Sequence, residues 1–445
     1  MTRPLTGLLI VLVSIGFASL TLPPTRHTRM PHETQLTSGA GGRILTNTGV
    51  WSANSQWIVY DTRSDAAGEQ FDGARIEMVN VVTKEIRTVY EAKHGANCGV
   101  ASWHPSEAKI VFILGPEHPT SDWQYSPCHR QGVIVDVQSP GVAVNLDARD
   151  LTPVFTMGAL RGGSHVHVFS PDASLVSFTY EDHVLSKVTT PNELHDLNQR
   201  NIGVSVIGIP VTVPKLHPRN QDGAAFTVLV TQTTNNPRPG SDDISKAFEE
   251  AWVGQKSLAF QGQVRTATNE LISEVFIVDL PPDLTQPGDG PLQGTETRRP
   301  SPPHGTTQRR LTNTTSHQFP GLSGPRHWLR TSHDASRIGF LKRDDFDIVQ
   351  FWTITPQGGE PVQVTHNCHS VASAFTWHPT TNSVAFVMDN SVSVTDVTTG
   401  ATRRITPRSE DSPRPEACVF SPDGKHIAFV RRIAEVNQIC IVEVD

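Results

Sequence analysis

Phe420-Ser421-Pro422-Asp423-Gly424, followed shortly by Ile427-Ala428-Phe429-Val430, is the stretch on which the fold turns. An aromatic residue ends one strand, Pro presets φ for a tight turn, Asp or Gly completes it, and an apolar strand returns antiparallel. The phrase recurs as Phe169-Ser170-Pro171-Asp172 before Leu175-Val176-Ser177-Phe178, and as Trp51-Ser52 before Trp57-Ile58-Val59-Tyr60. Trp103-His104-Pro105 and Trp377-His378-Pro379 lead into Ile110-Val111-Phe112 and Val384-Ala385-Phe386-Val387. Two fainter copies are Thr331-Ser332-His333-Asp334 before Ile338-Gly339-Phe340, and Leu216-His217-Pro218 before Phe226-Thr227-Val228.

Third and fourth strands follow these hairpins, as in Val392–Asp396 with Thr402–Thr406 and Phe351–Ile354 with Pro361–Thr365. Four short antiparallel strands per repeat make a propeller blade. The fold class is therefore all-β, a single β-propeller of seven four-stranded blades, with six as the alternative because the Leu216 copy is weak. The long step from Leu216 to Thr331 reads as one blade with insertions at about 232–270 and 281–307. Ser241 is expected to cap a short helix from Asp242 to Ala251 in the first. The second carries seven prolines and reads as a surface loop. After Phe420 only three strands fit, so the orphan strand Arg43-Ile44-Leu45-Thr46 is expected to complete the last blade and remove its open edge.

Composition agrees. Gly and Pro number 33 each in 445 residues, together above the usual share of about 12%, which favours turns over helical bundles. The net charge of −7 offers no global basic field for nucleic acid. Arg3 precedes an apolar run from Leu5 to Leu22, which contains the small-x-small triplet Gly16-Phe17-Ala18. This start reads as a signal peptide over 1–20, or as an uncleaved anchor and so the sole membrane attachment, followed by a flexible linker over 21–42 and the propeller over 43–445. The protein is accordingly expected to be exported, periplasmic or in the cell envelope, and monomeric. Five well-separated cysteines show no CxxC spacing and imply no disulfide.

Several passages resemble a known family. The Phe-Ser-Pro-Asp-Gly phrase is similar to the WD40-like repeat of TolB-type propellers. Arg161-Gly162-Gly163-Ser164-His165-Val166-His167-Val168-Phe169, Trp252-Val253-Gly254, Pro325-Arg326-His327-Trp328 and Pro356-Gln357-Gly358-Gly359-Glu360-Pro361 resemble the YidR-like family of bacterial propellers. That resemblance implies the fold and no activity. Relatives of the fold include the protein-binding Tol–Pal propeller and oligogalacturonate lyases, which hold a metal in a histidine-rich site.

Common catalytic signatures are missing. Gly162-Gly163-Ser164-His165 and Gly321-Leu322-Ser323-Gly324 both fail the nucleophile-elbow pattern, and neither an H-E-x-x-H helix nor a P-loop occurs. Asp344-Asp345-Phe346-Asp347 falls where two strands join and reads as a solvated hairpin rather than a calcium loop.

The segments just upstream of each anchor should gather at the channel mouth. They supply His94, Asn97 and Cys98; Arg161, His165 and His167; Arg326, His327 and Trp328; His366 and His369; and Arg414 and Glu416. His165 and His167 alternate with valines, so on a regular strand both imidazoles face one side. Arg161, His165 and His167 are the catalytic candidates, and Arg326, His327, Trp328 and Arg414 the ligand-binding ones. His165, His167, His327 and His369 are the candidate ligands for a divalent metal ion such as Mn, Zn or Ca. Two functions follow. One is an envelope recognition protein that holds a protein or peptide. The other is a metal-assisted lyase or hydrolase acting on an anionic oligosaccharide.

Overall fold

The computed structural model describes Met1 and residues 32–46, 49–66, 68–188 and 195–444. The signal-peptide reading lies outside the described residues. Seven four-stranded sheets follow one another around a ring. Their inner strands are Gly42–Ile44, Cys98–Trp103, Gly162–Phe169, Ile244–Val253, Arg330–Thr331, Thr376–Trp377 and Pro413–Phe420, and they define blades 1 to 7. Each sheet buries both faces against its neighbours, with Phe112, Phe178, Phe260, Phe276, Phe340 and Phe386 fully enclosed. Burying each such ring contributes about 1.5–3 kcal/mol.

The repeat phrase works by hydrogen-bond chemistry. Ser170, Ser332 and Ser421 each donate from Oγ to the aspartate two residues on, at 2.7, 2.6 and 2.5 Å. The same hydroxyls accept the amides of Leu175, Arg337 and His426. In the His-Pro versions an imidazole replaces the serine and aspartate. His104 Nδ1 accepts the amides of Ser106 and Glu107, and His378 Nδ1 those of Thr380 and Thr381. The anchor tryptophans also link the blades. Trp51 donates its indole N–H to Val419 O, Trp252 to Val168 O and Trp377 to Arg330 O, each time just before the anchor of the preceding blade.

Trp252 corrects the assignment of blade 4. Leu216 is exposed in the connection between the third and fourth strands of blade 3, and Phe226-Thr227-Val228 belongs to the outer strand of that blade. Residues 244–253 form the inner strand of blade 4, not a helix, and Ser257–Arg265 is its second strand. The span 232–270 is thus half regular sheet rather than an insertion. The apolar spacing of Ile244, Ala247, Phe248 and Ala251 imitates a helix because the strand has two register shifts, between Ile244 and Lys246 and between Phe248 and Ala251. Each extra residue stretches a period of two towards three or four. The proline-rich loop 281–307 connects the last two strands of blade 4 and folds back on blade 3, where Arg161 donates to Arg298 O at 2.7 Å and also to Thr295 O.

Closure uses the N-terminal segment, but ten residues earlier than expected. Gly42–Ile44 pairs with Trp57–Arg63 and is the inner strand of blade 1 itself. Glu33–Gln35, within the stretch expected to be a linker, pairs with Val442–Cys440 and becomes the outer strand of blade 7. Arg431 holds Glu33 through both carboxylate oxygens at 2.7 and 2.8 Å, and Gln438 Oε1 accepts from Thr37 and Arg43. Asp344–Asp347 is a turn in which Asp344 accepts the amides of Phe346 and Ile348. Four cysteines are buried free thiols, and Cys368 is an exposed one.

Removing residues 1–36 should lower the melting temperature by several degrees and promote self-association, because the edge of Val436–Glu443 is then unpaired. Calorimetry and size-exclusion chromatography test this. A monomer with unchanged melting temperature would show that the strand adds nothing to closure.

Candidate functional site

Three inner strands bulge at matching places. The extra residues lie between Gly99 and Ser102, between His165 and Val168, and between Phe248 and Ala251. The first bulge residue has positive φ in each case: Val100 at 59°, Val166 at 59° and Glu249 at 56°. That conformation is costly for a β-branched side chain, and it is held here by packing at the centre of the ring. Val100 and Val166 cluster with Ile113, Trp328 and Phe71.

This cluster floors a cavity of about 580 Å³. Arg63, Arg130, Arg200, Arg326 and Arg414, from blades 1, 2, 3, 5 and 7, line it with His165, Glu69 and Glu416. Most of the guanidiniums are steadied from one side. Arg63 pairs with Asp61 at 2.6 Å, Arg200 with Glu181 at 2.8 Å, Arg326 with Glu249 at 2.8 Å and Arg414 with Glu416 at 2.7 Å. Arg130 donates to the Tyr125 hydroxyl at 2.8 Å. Asp61, Glu181 and Glu249 do not line the cavity, so five cationic groups meet two carboxylates at its surface. Arg326 lies over Trp328 at 4.6 Å, and Arg63 over Phe71 at 4.8 Å.

Of the residues singled out from sequence, His165, Arg326, Trp328, Arg414 and Glu416 meet around this cavity. His165 is 2% exposed, and its Nδ1 has no hydrogen-bond partner. Burial pushes its imidazole well below the usual range, and Arg130, Arg200 and Arg326 reinforce the shift. A neutral ring thus stands among guanidiniums.

His167 goes elsewhere. The bulge residue Val166 inserts between the two histidines and breaks the alternation that would have put both rings on one side. His167 is fully buried, with Nε2 at 3.0 Å from Ser164 Oγ. Asp147 accepts from Ser164 at 2.5 Å and from Ser205 at 2.9 Å. The serine, histidine and aspartate touch, but all are at most 2% exposed and knit blade 2 to blade 3. Gly132 makes room for this ring, since a Cβ there would stand 2.4 Å from His167 Nε2.

Arg161 is 1% exposed, is engaged by Asp182 (2.7 Å) and the proline-rich loop, and does not line the cavity. His327 is buried with both ring nitrogens engaged, Nδ1 with Pro325 O at 2.8 Å and Nε2 with the amide of Leu341 at 3.2 Å. It neither lines the cavity nor offers a free lone pair. His369 is outside the cavity, with its ring 4.0 Å from Asp389. The four histidines named as metal ligands therefore do not converge. Among the described residues no three His, Cys, Asp or Glu side chains are arranged to hold a metal ion.

Sequence reading missed Arg63, which ends the second strand of blade 1, and Arg130 and Arg200, which enter from connections between second and third strands rather than from segments upstream of an anchor. It also missed Glu249 and Glu250, buried in the strand taken for a helix. Burial raises Glu250 to about 7, and its Oε2 accepts from Thr179 at 3.1 Å. The available signal was Trp252, an aromatic at the anchor position followed by the Gly254 turn.

A family model described as a protein of unknown function (DUF3748) matches residues 97–221. The Escherichia coli (strain K12) protein "Uncharacterized protein YidR" is 46% identical over 415 residues, covering 92% of this chain and 97% of that relative. The chain belongs to the YidR family. An oligogalacturonate lyase in complex with manganese shares the fold at a TM-score of 0.56 and 11% identity, over 93% of both chains. A putative TolB from Agrobacterium tumefaciens matches with a TM-score of 0.41 and 13% identity, over 83% of this chain and 98% of that one. At such identity the lyase speaks for the propeller fold alone, and the family membership agrees with the resemblance read from the repeat.

The buried imidazoles carry a pH signature. Burial pushes His327 down to about 4, so the folded chain binds fewer protons there than the unfolded one, whose imidazole titrates near 6.5. Its contribution is complete above about pH 6.5 and is lost progressively as the pH falls towards 4. Replacing His327→Gln, which stays neutral, should flatten the stability loss between about pH 6.5 and pH 4.5 by about 2 kcal/mol. Urea unfolding of both proteins across that range measures it. Parallel curves would exclude His327 as a source of acid sensitivity.

Proposed function

We propose that this protein is a recognition propeller of the cell envelope whose channel mouth binds a small ligand bearing carboxylates. One observation carries the reading: five guanidiniums from five blades surround a single cavity with an apolar floor. A volume of about 580 Å³ suits a small molecule, within the roughly 300–1,000 Å³ of ligand pockets. Guanidiniums already braced on one side keep N–H edges for a carboxylate, and bidentate pairing adds direction to charge. Val100, Ile113, Val166 and Trp328 supply apolar surface for the ligand's body. Placement in the envelope is supported by the apolar segment Leu5–Leu22 and is tested by osmotic-shock fractionation.

A catalytic reading is favoured by one further feature, the neutral His165 ring among Arg130, Arg200 and Arg326. Such a ring, unprotonated at neutral pH, can take the proton from the carbon α to a carboxylate while guanidiniums stabilise the enolate. The enolate then breaks the β C–O bond and expels the oxygen substituent, reprotonated by the histidine or water, to leave the carbon–carbon double bond. The metal-assisted form finds no ligand set among the described residues. Appearance of an unsaturated uronate by ultraviolet absorbance, lost in His165→Ala, distinguishes lyase from binder.

For the binding reading, citrate, digalacturonate or 2-naphthoate at millimolar concentration should raise the melting temperature, while uncharged cellobiose should not. The Arg326→Gln, Arg414→Gln double variant should bind at least about tenfold more weakly, since hydrogen bonds to charged groups contribute about 1.5–3 kcal/mol. No shift with any of the three anions would overturn the proposal.

A further inference from the structure

The connection from residue 115 to residue 130 in blade 2 delivers Arg130 to the mouth and sets Tyr125 behind it, against Phe71. Tyr125 stacks on Phe71 at 4.8 Å and accepts from Arg130. On the far side of the same connection stands a second histidine cluster that sequence reading did not single out. The Trp123 ring lies on His129 at 3.7 Å, nearly parallel. His129 Nδ1 is 2.7 Å from Gln124 O, and its Nε2 is 2.9 Å from Nδ1 of His183, on blade 3. Arg149 donates to the carbonyls of His129 and Arg130 at 3.3 and 2.6 Å. Arg219 donates to those of Glu117 and His118 at 2.7 and 2.8 Å.

The protonation states follow from the partners. A carbonyl only accepts, so Nδ1 of His129 carries hydrogen, and its Nε2 must accept the proton of His183 Nδ1. That ring-to-ring bond lasts while at least one of the two rings is neutral, because a neutral His183 can shift its hydrogen to Nε2 and accept at Nδ1 from a protonated His129. Protonating both rings sets N–H against N–H. The charged groups facing the cluster are Arg149, Arg219 and Lys187, with His217 beside them and Asp122 as the opposing carboxylate. A new positive charge therefore enters cationic surroundings. Burial already pushes His183 down to about 4 and holds His129 and His217 below the usual range.

We propose that the Trp123–His129–His183 stack is an acid-sensitive brace that sets Arg130 in the channel mouth, so that acidification loosens this connection and weakens anion binding. The second half of this inference rests on the carboxylate-binding reading of the mouth, and the first half does not. His165 is a separate titrating group facing Arg130, Arg200, Arg326 and His167, so the comparison must leave it untouched.

The test compares wild type with His183→Asn. The asparagine amide can donate to His129 or accept from it and takes no proton itself, so the N–H against N–H state cannot arise in the variant. Hydrogen exchange, corrected for its intrinsic pH dependence, should accelerate several-fold in residues 117–130 of the wild type between about pH 7 and pH 4. Exchange in Ser383–Met388 of blade 6 should not change, and His183→Asn should show a much flatter response. Unchanged wild-type exchange, or an equal response in the variant, would overturn the brace. Naphthalene-2-sulfonate, which stays ionised throughout, reports on the mouth. Its affinity should fall several-fold with acid in the wild type and less in the variant. If exchange responds and affinity does not, the coupling is wrong and the brace stands. If the sulfonate binds at neither pH, the reading of the mouth fails, and exchange alone judges the brace.

Discussion

Everything in this molecule depends on closing a ring. A single four-stranded blade has two apolar faces and two open edges, and it can bury the faces only between two other blades. The first and last blades find each other because Glu33–Gln35 pairs with Val442–Cys440 and lends blade 7 its outer strand. The ring is then fastened by ladder hydrogen bonds and by the Glu33–Arg431 pair, not by a disulfide. Once closed, the inner strands converge on one axis. That convergence brings arginines far apart in the chain to one cavity.

What the inner strands present there is decided by their bulges. A regular strand sends alternate residues to opposite faces. One extra residue at Val100, Val166 or Glu249 resets the alternation halfway along. The apolar floor and the burial of Glu249 and Glu250 both follow from it. So does the separation of His165, in the cavity, from His167, in the seam between blades 2 and 3. The same device hid blade 4, since two bulges in one strand produce the spacing of an amphipathic helix.

The parts legible without coordinates were those written in local chemistry. Ser421 with Asp423, and His378 with the amides of Thr380 and Thr381, are turn devices complete within a few residues, so they repeat as visible phrases. The blade count followed from them, even though one anchor was placed at Leu216 instead of Trp252. Arg326, Trp328, Arg414 and His165 were found because a blade's position on the ring is itself periodic.

The sequence by itself determined the hairpin turns, the seven-bladed ring and the use of an N-terminal strand to finish it, because these depend on short-range hydrogen bonding and on counting strands. Only the tertiary structure decided which strand closes the ring, which histidine faces the channel and which arginines join it. Those outcomes depend on register and on bulges. A one-residue shift reverses the direction of a side chain without changing its type, and nothing local in the chain records it.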